Sequence, residues 1–265
     1  MPQVELINGN SIEVLFGQIK PASVDLTVTS PPYDDLRTYN DTCTWGWYEF
    51  SAIAAGLYRV TKKGGVLVWI VKDRVINGSR TASCFEQLLH FKKIGFKVND
   101  VMIWEKKSVM PPIKQPRYWD AFDYMYIFSK GELKTFNPIR NATKSKGKQF
   151  GTAIKRLKPK DRERTKYKKE MYTKNTFIKR NVWRAGVTKT DGRYDHPAIF
   201  PEQLAYDHII SWSNKGDTVL DCFMGSGTTG CAAVKLGRNF KGIELVPKYF
   251  NIAKSRINAV QNRSS

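Results

Sequence analysis

Asp217-Thr218-Val219-Leu220-Asp221-Cys222-Phe223-Met224-Gly225-Ser226-Gly227-Thr228-Thr229-Gly230 is the stretch on which the fold turns. It begins as an apolar strand, breaks into a glycine turn of the form GxGxxG and runs on into a helix. Glu244 stands 19 residues after Gly225, at the end of Gly242-Ile243-Glu244-Leu245, which reads as the next strand. Strand, glycine turn, helix and distal acid in this register form an adenosine-binding arrangement. The first two glycines permit a tight turn and close ligand approach, and the acid accepts from ribose hydroxyls. The same signature suits a nicotinamide dinucleotide, whose pyrophosphate would sit on the helix N-terminus. Such an enzyme needs further βα units after the fingerprint, yet only 21 residues follow Glu244, enough for one helix opened by Pro247. The sheet is expected to be completed by strands that come earlier in the chain.

Those strands are legible upstream. Val24-Asp25-Leu26-Thr27-Val28-Thr29 alternates apolar and polar residues and stops at Pro31-Pro32, which lack ladder donors. A helix is expected from Trp47 to Thr61, then a strand buried on both faces at Val66-Leu67-Val68-Trp69-Ile70-Val71. Phe85, Leu88, Leu89 and Ile94 keep helical spacing; Val98 to Trp104 and Tyr124 to Phe128 are further strands, separated by a loop holding Pro111, Pro112 and Pro116. From Phe200 the pattern resumes, with a helix from Pro201 to Trp212. The alternation specifies an α/β doubly wound, mostly parallel sheet of Rossmann-like type. Its cofactor loop comes late in the chain, a circularly permuted order. Residues 1–131 and 190–265 form the expected catalytic domain, interrupted by an insertion at 132–189.

Ser30-Pro31-Pro32-Tyr33 ends the first of these strands, and open α/β sheets bind ligands outside the carboxyl ends of their strands. Two prolines fix φ and remove two amide donors, leaving a stiff corner of free carbonyl acceptors. An exocyclic amine on cytosine or adenine has N–H groups to donate. With both protons accepted by Ser30 Oγ and the Pro31 carbonyl, its nitrogen is turned pyramidal and its lone pair is aimed at a methyl donor. Tyr33 then supplies a stacking face for a base rotated out of the duplex.

The 265 residues carry 44 Lys or Arg against 24 Asp or Glu, a net charge of +20, and a polyanion is the partner such a charge attracts. The excess is local: Arg140 to Lys189 holds 18 Lys or Arg and three acids, a net +15. No basic stretch followed by an apolar core opens the sequence and no run is long enough to span a bilayer, so a soluble, cytoplasmic protein is expected. Cys43, Cys84, Cys222 and Cys231 form no CxxC pair, which points to neither a metal site nor a disulfide framework.

The chain resembles the β group of DNA amino-methyltransferases, the permuted class in which the catalytic loop precedes the cofactor loop. The resemblance rests on Gly9-Asn10, Val24-Asp25-Leu26 leading into Thr29-Ser30-Pro31-Pro32-Tyr33, and Phe128-Ser129-Lys130-Gly131. It continues through Asn181-Val182-Trp183, His196-Pro197-Ala198-Ile199-Phe200-Pro201, Asp221 to Thr229 and Gly242-Ile243-Glu244-Leu245. It implies that Asn10, Phe200, Pro201, Asp221, Phe223, Gly225, Ser226, Gly227, Thr228 and Glu244 surround S-adenosyl-L-methionine, while Ser30, Pro31, Pro32 and Tyr33 hold the target base. Two positions depart from the family: Asp is usual where Asn10 stands, and Pro where Cys222 stands.

A first catalytic residue of Ser is usual in the family for cytosine N4 and Asp for adenine N6, so Ser30 favours cytosine, with adenine as the alternative. Methylation of RNA or of a protein amide, and a binding module without activity, are the more distant readings. The basic insertion lies where the family carries its target-recognition region. Lys155, Arg156, Lys158, Arg162, Arg164, Lys166, Lys168, Lys169, Lys179 and Arg180 are the expected phosphate contacts to double-stranded DNA, with Tyr167, Tyr172, Phe177 and Trp183 interleaved. The enzyme is expected to work as a monomer or homodimer.

Overall fold

The computed structural model of the chain describes residues 1–32, 45–108, 116–142, 176–186 and 201–263. In chain order the elements are β1 (Val4–Asn8), α1 (Ser11–Gly17), β2 (Val24–Thr29), α2 (Trp47–Val60), β3 (Thr61–Val71), β4 (Val75–Ile76), β5 (Ser79–Arg80) and α3 (Ser83–Lys93). They continue with β6 (Lys97–Lys106), β7 (Phe122–Ser129), β8 (Arg140–Ala142), β9 (Thr176–Ile178) and β10 (Val182–Ala185). The chain closes with α4 (Glu202–Trp212), β11 (Thr218–Asp221), α5 (Thr228–Lys235), β12 (Asn239–Glu244) and α6 (Pro247–Arg263). Two compact units result, Met1–Asn137 with Asn181–Ser265, and Pro138–Arg180.

The larger unit is built on one sheet of order β1-β12-β11-β2-β3-β7-β6-β10. Every neighbouring pair in it is parallel except the two made by β7, which runs against β3 and β6. The glycine-loop strand β11 thus has its sheet extended by β2, β3, β7 and β6, all from earlier in the chain. Because side chains alternate along a strand, each strand feeds both faces. Leu67, Trp69 and Val71 of β3 join Phe128, Leu220 and Ile243 against α1, α2 and α3. Their alternates Val66, Val68 and Ile70 are buried on the opposite face, where α4, α5 and α6 pack on one another and on β2, β11 and β12.

One expectation shifts. The buried residues of α3 are Cys84, Gln87 and Phe91, while Phe85 and Leu89 face outward; Gln87 takes an inward position because its Oε1 accepts from Trp69 Nε1 at 2.8 Å. The smaller compact unit spans Pro138–Arg180, within the expected insertion at 132–189. β10 pairs in parallel with Ile103 to Lys106 as the edge strand of the main sheet. It buries Trp183 and Ala185, and the Ala185 carbonyl accepts from Trp104 Nε1 at 3.0 Å. On the other side Asn137 binds the carboxyl end of α4, with its amide 2.8 Å from the Ser211 carbonyl.

In the smaller unit, β8 and β9 form an antiparallel pair, Arg140 opposite Ile178 and Ala142 opposite Thr176, extended by a bond from the Lys179 amide to the Ile139 carbonyl at 2.8 Å.

Candidate active site

β2 and β11 are neighbours and parallel, so their carboxyl ends emerge side by side. At that point Thr29 Oγ1 donates to Asp221 Oδ1 at 2.7 Å. The same carboxylate oxygen accepts from the Phe223 amide at 3.1 Å, and the Thr229 hydroxyl donates to the group from the first turn of α5. Burial pushes the Asp221 carboxyl above the usual carboxylate range, against the pull of these donors. Next to it Cys222 is wholly buried, its thiol also pushed upward by burial. Its carbonyl accepts from Ser11 Oγ at 2.5 Å, tying β11 to the start of α1. Ser30 and Pro32 are half-buried and Pro31 is buried, one residue beyond this hydrogen-bonded strand end.

The glycine turn is fixed from β12. Glu244 Oε2 accepts from the Gly225 amide at 2.8 Å and Oε1 from the Val246 amide at 2.9 Å. Burial raises its pKa as well, with Asp221 adding to the effect. A carboxylate offers about four lone-pair sites, so each oxygen keeps acceptor capacity beyond these bonds. Gly225 and Gly227 have φ of 52° and 84°, in the left-handed region that L side chains avoid. A Cβ on Gly227 would lie 2.9 Å from Ala253 Cβ, and one on Gly230 would lie 2.5 Å from Ile257 Cδ1. Gly227, expected to make room for a ligand, is thus needed for the approach of α5 to α6.

Other residues expected around the cofactor have partners within the protein. Asn10 caps α1, its Oδ1 accepting from the Ile12 amide at 2.8 Å. The preceding amide, of Gly9, donates to the Glu244 carbonyl at 3.0 Å, which brings this corner to the end of β12. Ser226 is buried and its hydroxyl and carbonyl both accept from Arg256 Nη1, at 2.9 and 2.6 Å. Arg256, on the last helix, is a positioning residue that sequence reasoning missed. Pro201 is buried at the N-cap of α4, and Thr228 is buried at the start of α5. The Phe223 ring meets Trp45 edge-on at 5.4 Å and Trp69 at 6.3 Å. Trp45, whose ring packs on Phe223, is a second contact that sequence reasoning missed. Tyr33, Phe200 and the cations from Lys155 to Lys169 lie outside the described residues; Lys179 and Arg180 follow β9 in the smaller unit.

The carboxyl edge therefore presents two carboxylates with spare acceptor sites, a glycine turn and the Phe223 ring, flanked by the proline corner. A ligand with several hydroxyl or ammonium donors and a planar ring system matches that set.

A family model described as DNA methylase (N6_N4_Mtase) matches residues 24–255. The orphan methyltransferase M.BamHII of Bacillus amyloliquefaciens is 45% identical over 245 residues, spanning 90% of either chain. Among solved structures, PvuII DNA methyltransferase (cytosine-N4-specific) superposes with a TM-score of 0.70 at 22% identity, covering 98% of this chain and 92% of that one. TTHA0409 of Thermus thermophilus, complexed with S-adenosyl-L-methionine, gives 0.64 at 26% identity over 98% and 96%.

Proposed function

The chain belongs to the DNA methylase family, and on that premise we propose that it transfers a methyl group from S-adenosyl-L-methionine to the exocyclic N4 of a cytosine rotated out of duplex DNA, in the permuted, β-group manner. The observation that carries this reading is the Thr29–Asp221 hydrogen bond, which sets the Ser30-Pro31-Pro32 corner against the glycine turn.

The donor set fits the methyl donor. Glu244 has acceptor capacity for ribose hydroxyls, the buried Asp221 carboxylate attracts the cationic amino-acid end, and Phe223 offers an apolar face. Gly225, held by Glu244 at a positive φ, brings no side chain to the turn, and Asn10 and Pro201 complete the proposed cofactor set. Bound there, S-adenosyl-L-methionine supplies an electrophilic methyl on a sulfonium. The chain's own residues orient the acceptor. Ser30 Oγ and the Pro31 carbonyl take hydrogen bonds from the amine, Tyr33 stacks on the extruded base, and the prolines keep the corner stiff so that alignment costs little at the moment of reaction. The basic segment, with Lys179 and Arg180 at its end, neutralises phosphates and brings the sequence-reading residues to the duplex.

Ser30, whose family counterpart on adenine enzymes is usually Asp, supports cytosine over adenine N6. Incubation with labelled donor and mixed-sequence DNA, then digestion to nucleosides and mass spectrometry, is expected to yield N4-methylcytosine. N6-methyladenine would move the target to adenine, and neither product would end the proposal.

A further inference from the structure

The basic segment is not the sole cationic feature. β4 and β5 form a hairpin, Val75 opposite Arg80 and Ile76 opposite Ser79, closed by Asn77 and Gly78 at φ of 47° and 80°. Positive φ at both central residues is the type I′ pattern that matches strand twist. A hairpin this short is not stable by itself, and here it is braced from outside. Asp120 binds Lys72 at 2.9 Å before the hairpin and Arg80 at 3.2 Å within it, while Arg117 Nη2 donates to the Gly78 carbonyl at its tip.

Between those two braces the chain carries Tyr118, 100% exposed, and Trp119, 58% exposed. Phe122 and Phe85, which flank Tyr124 at 5.3 and 5.4 Å, extend the aromatic row and are also exposed. Two large rings held outward on a salt-bridged loop are costly to leave in water without a partner. Lys72, Arg80 and Arg117 are tied to this loop and the hairpin. The acids nearby each have a partner: Asp73 is buried and accepts from the Cys84 amide, Asp120 is shared between two of the cations, Glu105 opposite Phe122 faces Arg184 at 3.6 Å, and the buried Asp123 binds Lys106 at 2.8 Å. Cations interleaved with exposed rings match a nucleic acid, which offers phosphates and π faces together.

Position narrows the partner. β2 and β3 run parallel, with Thr29 opposite Trp69. β3 therefore delivers Lys72 and the hairpin, and β7 takes up the chain after Trp119, at the edge where β2 delivers Ser30. Resting on the functional reading above, we infer that Tyr118 and Trp119, held by the braced hairpin, form a second DNA contact surface beside the catalytic corner and stack on bases unpaired where the duplex opens around the target.

Wild type and a Tyr118→Ala/Trp119→Ala double variant of the full chain are titrated by fluorescence anisotropy against a labelled duplex carrying one mismatched pair and against its fully paired counterpart. On the mismatched duplex the variant is expected to bind about 10-fold more weakly, the loss of roughly one base–aromatic stack. Its slope of log affinity against log salt should stay that of wild type, because no cation is removed. A Tyr118→Phe/Trp119→Phe variant keeps its rings and should bind as wild type does, and calorimetry should give all three proteins the same cofactor affinity. Undiminished binding by the alanine variant, or an equal loss in the phenylalanine variant, overturns the inference. Wild type without affinity for either duplex would overturn the functional reading too, which separates the two failures.

Discussion

Thr29 Oγ1 donates to Asp221 Oδ1 across 2.7 Å, a single hydrogen bond between the strand that ends in the Ser30-Pro31-Pro32 corner and the strand that ends in the glycine turn. Both residues are buried, so the carboxylate relies on protein donors. Thr29→Val keeps the shape and removes the donor. Leaving a buried carboxylate one partner short is expected to cost about 1 to 3 kcal/mol of stability. Turnover should fall more than cofactor affinity, as the corner loses its register with the turn. Urea unfolding and single-turnover kinetics measure the two effects.

The burial that raises the Asp221 pKa has a pH consequence. The native protein holds this proton more tightly than the unfolded chain does, so the group's contribution to stability falls as pH rises from the ordinary aspartate range through the raised folded value. Asp221→Asn removes the ionisation while retaining an acceptor for Thr29 and the Phe223 amide. Above that window the variant is expected to melt at a higher temperature than wild type, with the advantage gone at pH below the ordinary aspartate value, and to bind cofactor more weakly. Thermal scans across pH, paired with calorimetric titration of the cofactor, test the trade; a variant less stable than wild type at neutral pH would contradict it.

Ser30 is half-buried at the end of β2 and is assigned an acceptor role toward the amine. Ser30→Ala should lower the rate of methyl transfer by about 10²-fold, the scale on which one preorganised polar contact to a reacting group acts. Cofactor affinity should be unchanged, since the glycine turn is untouched. Tyr33→Ala should divide in the same way, while Gly225→Val should abolish cofactor binding. Equal losses in transfer and binding for Ser30→Ala would remove it from the reacting amine.

Gly227→Ala meets two obstacles, a φ of 84° and a Cβ position 2.9 Å from Ala253 Cβ. Left-handed strain and overpacking together should cost about 2 to 4 kcal/mol. Adding Ala253→Gly removes the Cβ contact, though not the one to the Cα of residue 253 at 3.0 Å nor the strain, so the double variant should be somewhat more stable than the sum of the two single effects. Additivity in chemical unfolding would show that α5 and α6 do not meet at this glycine.

Much of this was legible before any coordinate. The β11 strand, its glycine turn and Glu244 are local in sequence, and local signals survive folding. The capping role of Asn10 went unread, although Asn before Ser11-Ile12-Glu13 carries an N-terminal helix signature. The β4–β5 hairpin went unread as well, although its Asn77-Gly78 pair is a strong short-range turn signal. What sequence could not supply is who meets whom. Arg256 reaches Ser226 from another helix, Gly227 answers to Ala253, and β10 is a four-residue strand whose place at the sheet edge depends on burying Trp183 and Ala185. Each of these is set by packing between distant segments, which no window of sequence contains.

Thr29 and Asp221 are 192 positions apart in the chain. On the ribosome the Ser30-Pro31-Pro32 corner is made early and stays without its neighbour until β11 has emerged, because among the described strands none made in between takes that place beside β2. Ordering that corner must wait for this late, high-contact-order closure, which makes assembly slow relative to chains of local contacts. A nascent chain released before β11 would carry the Ser30-Pro31-Pro32 corner with no turn to set against it.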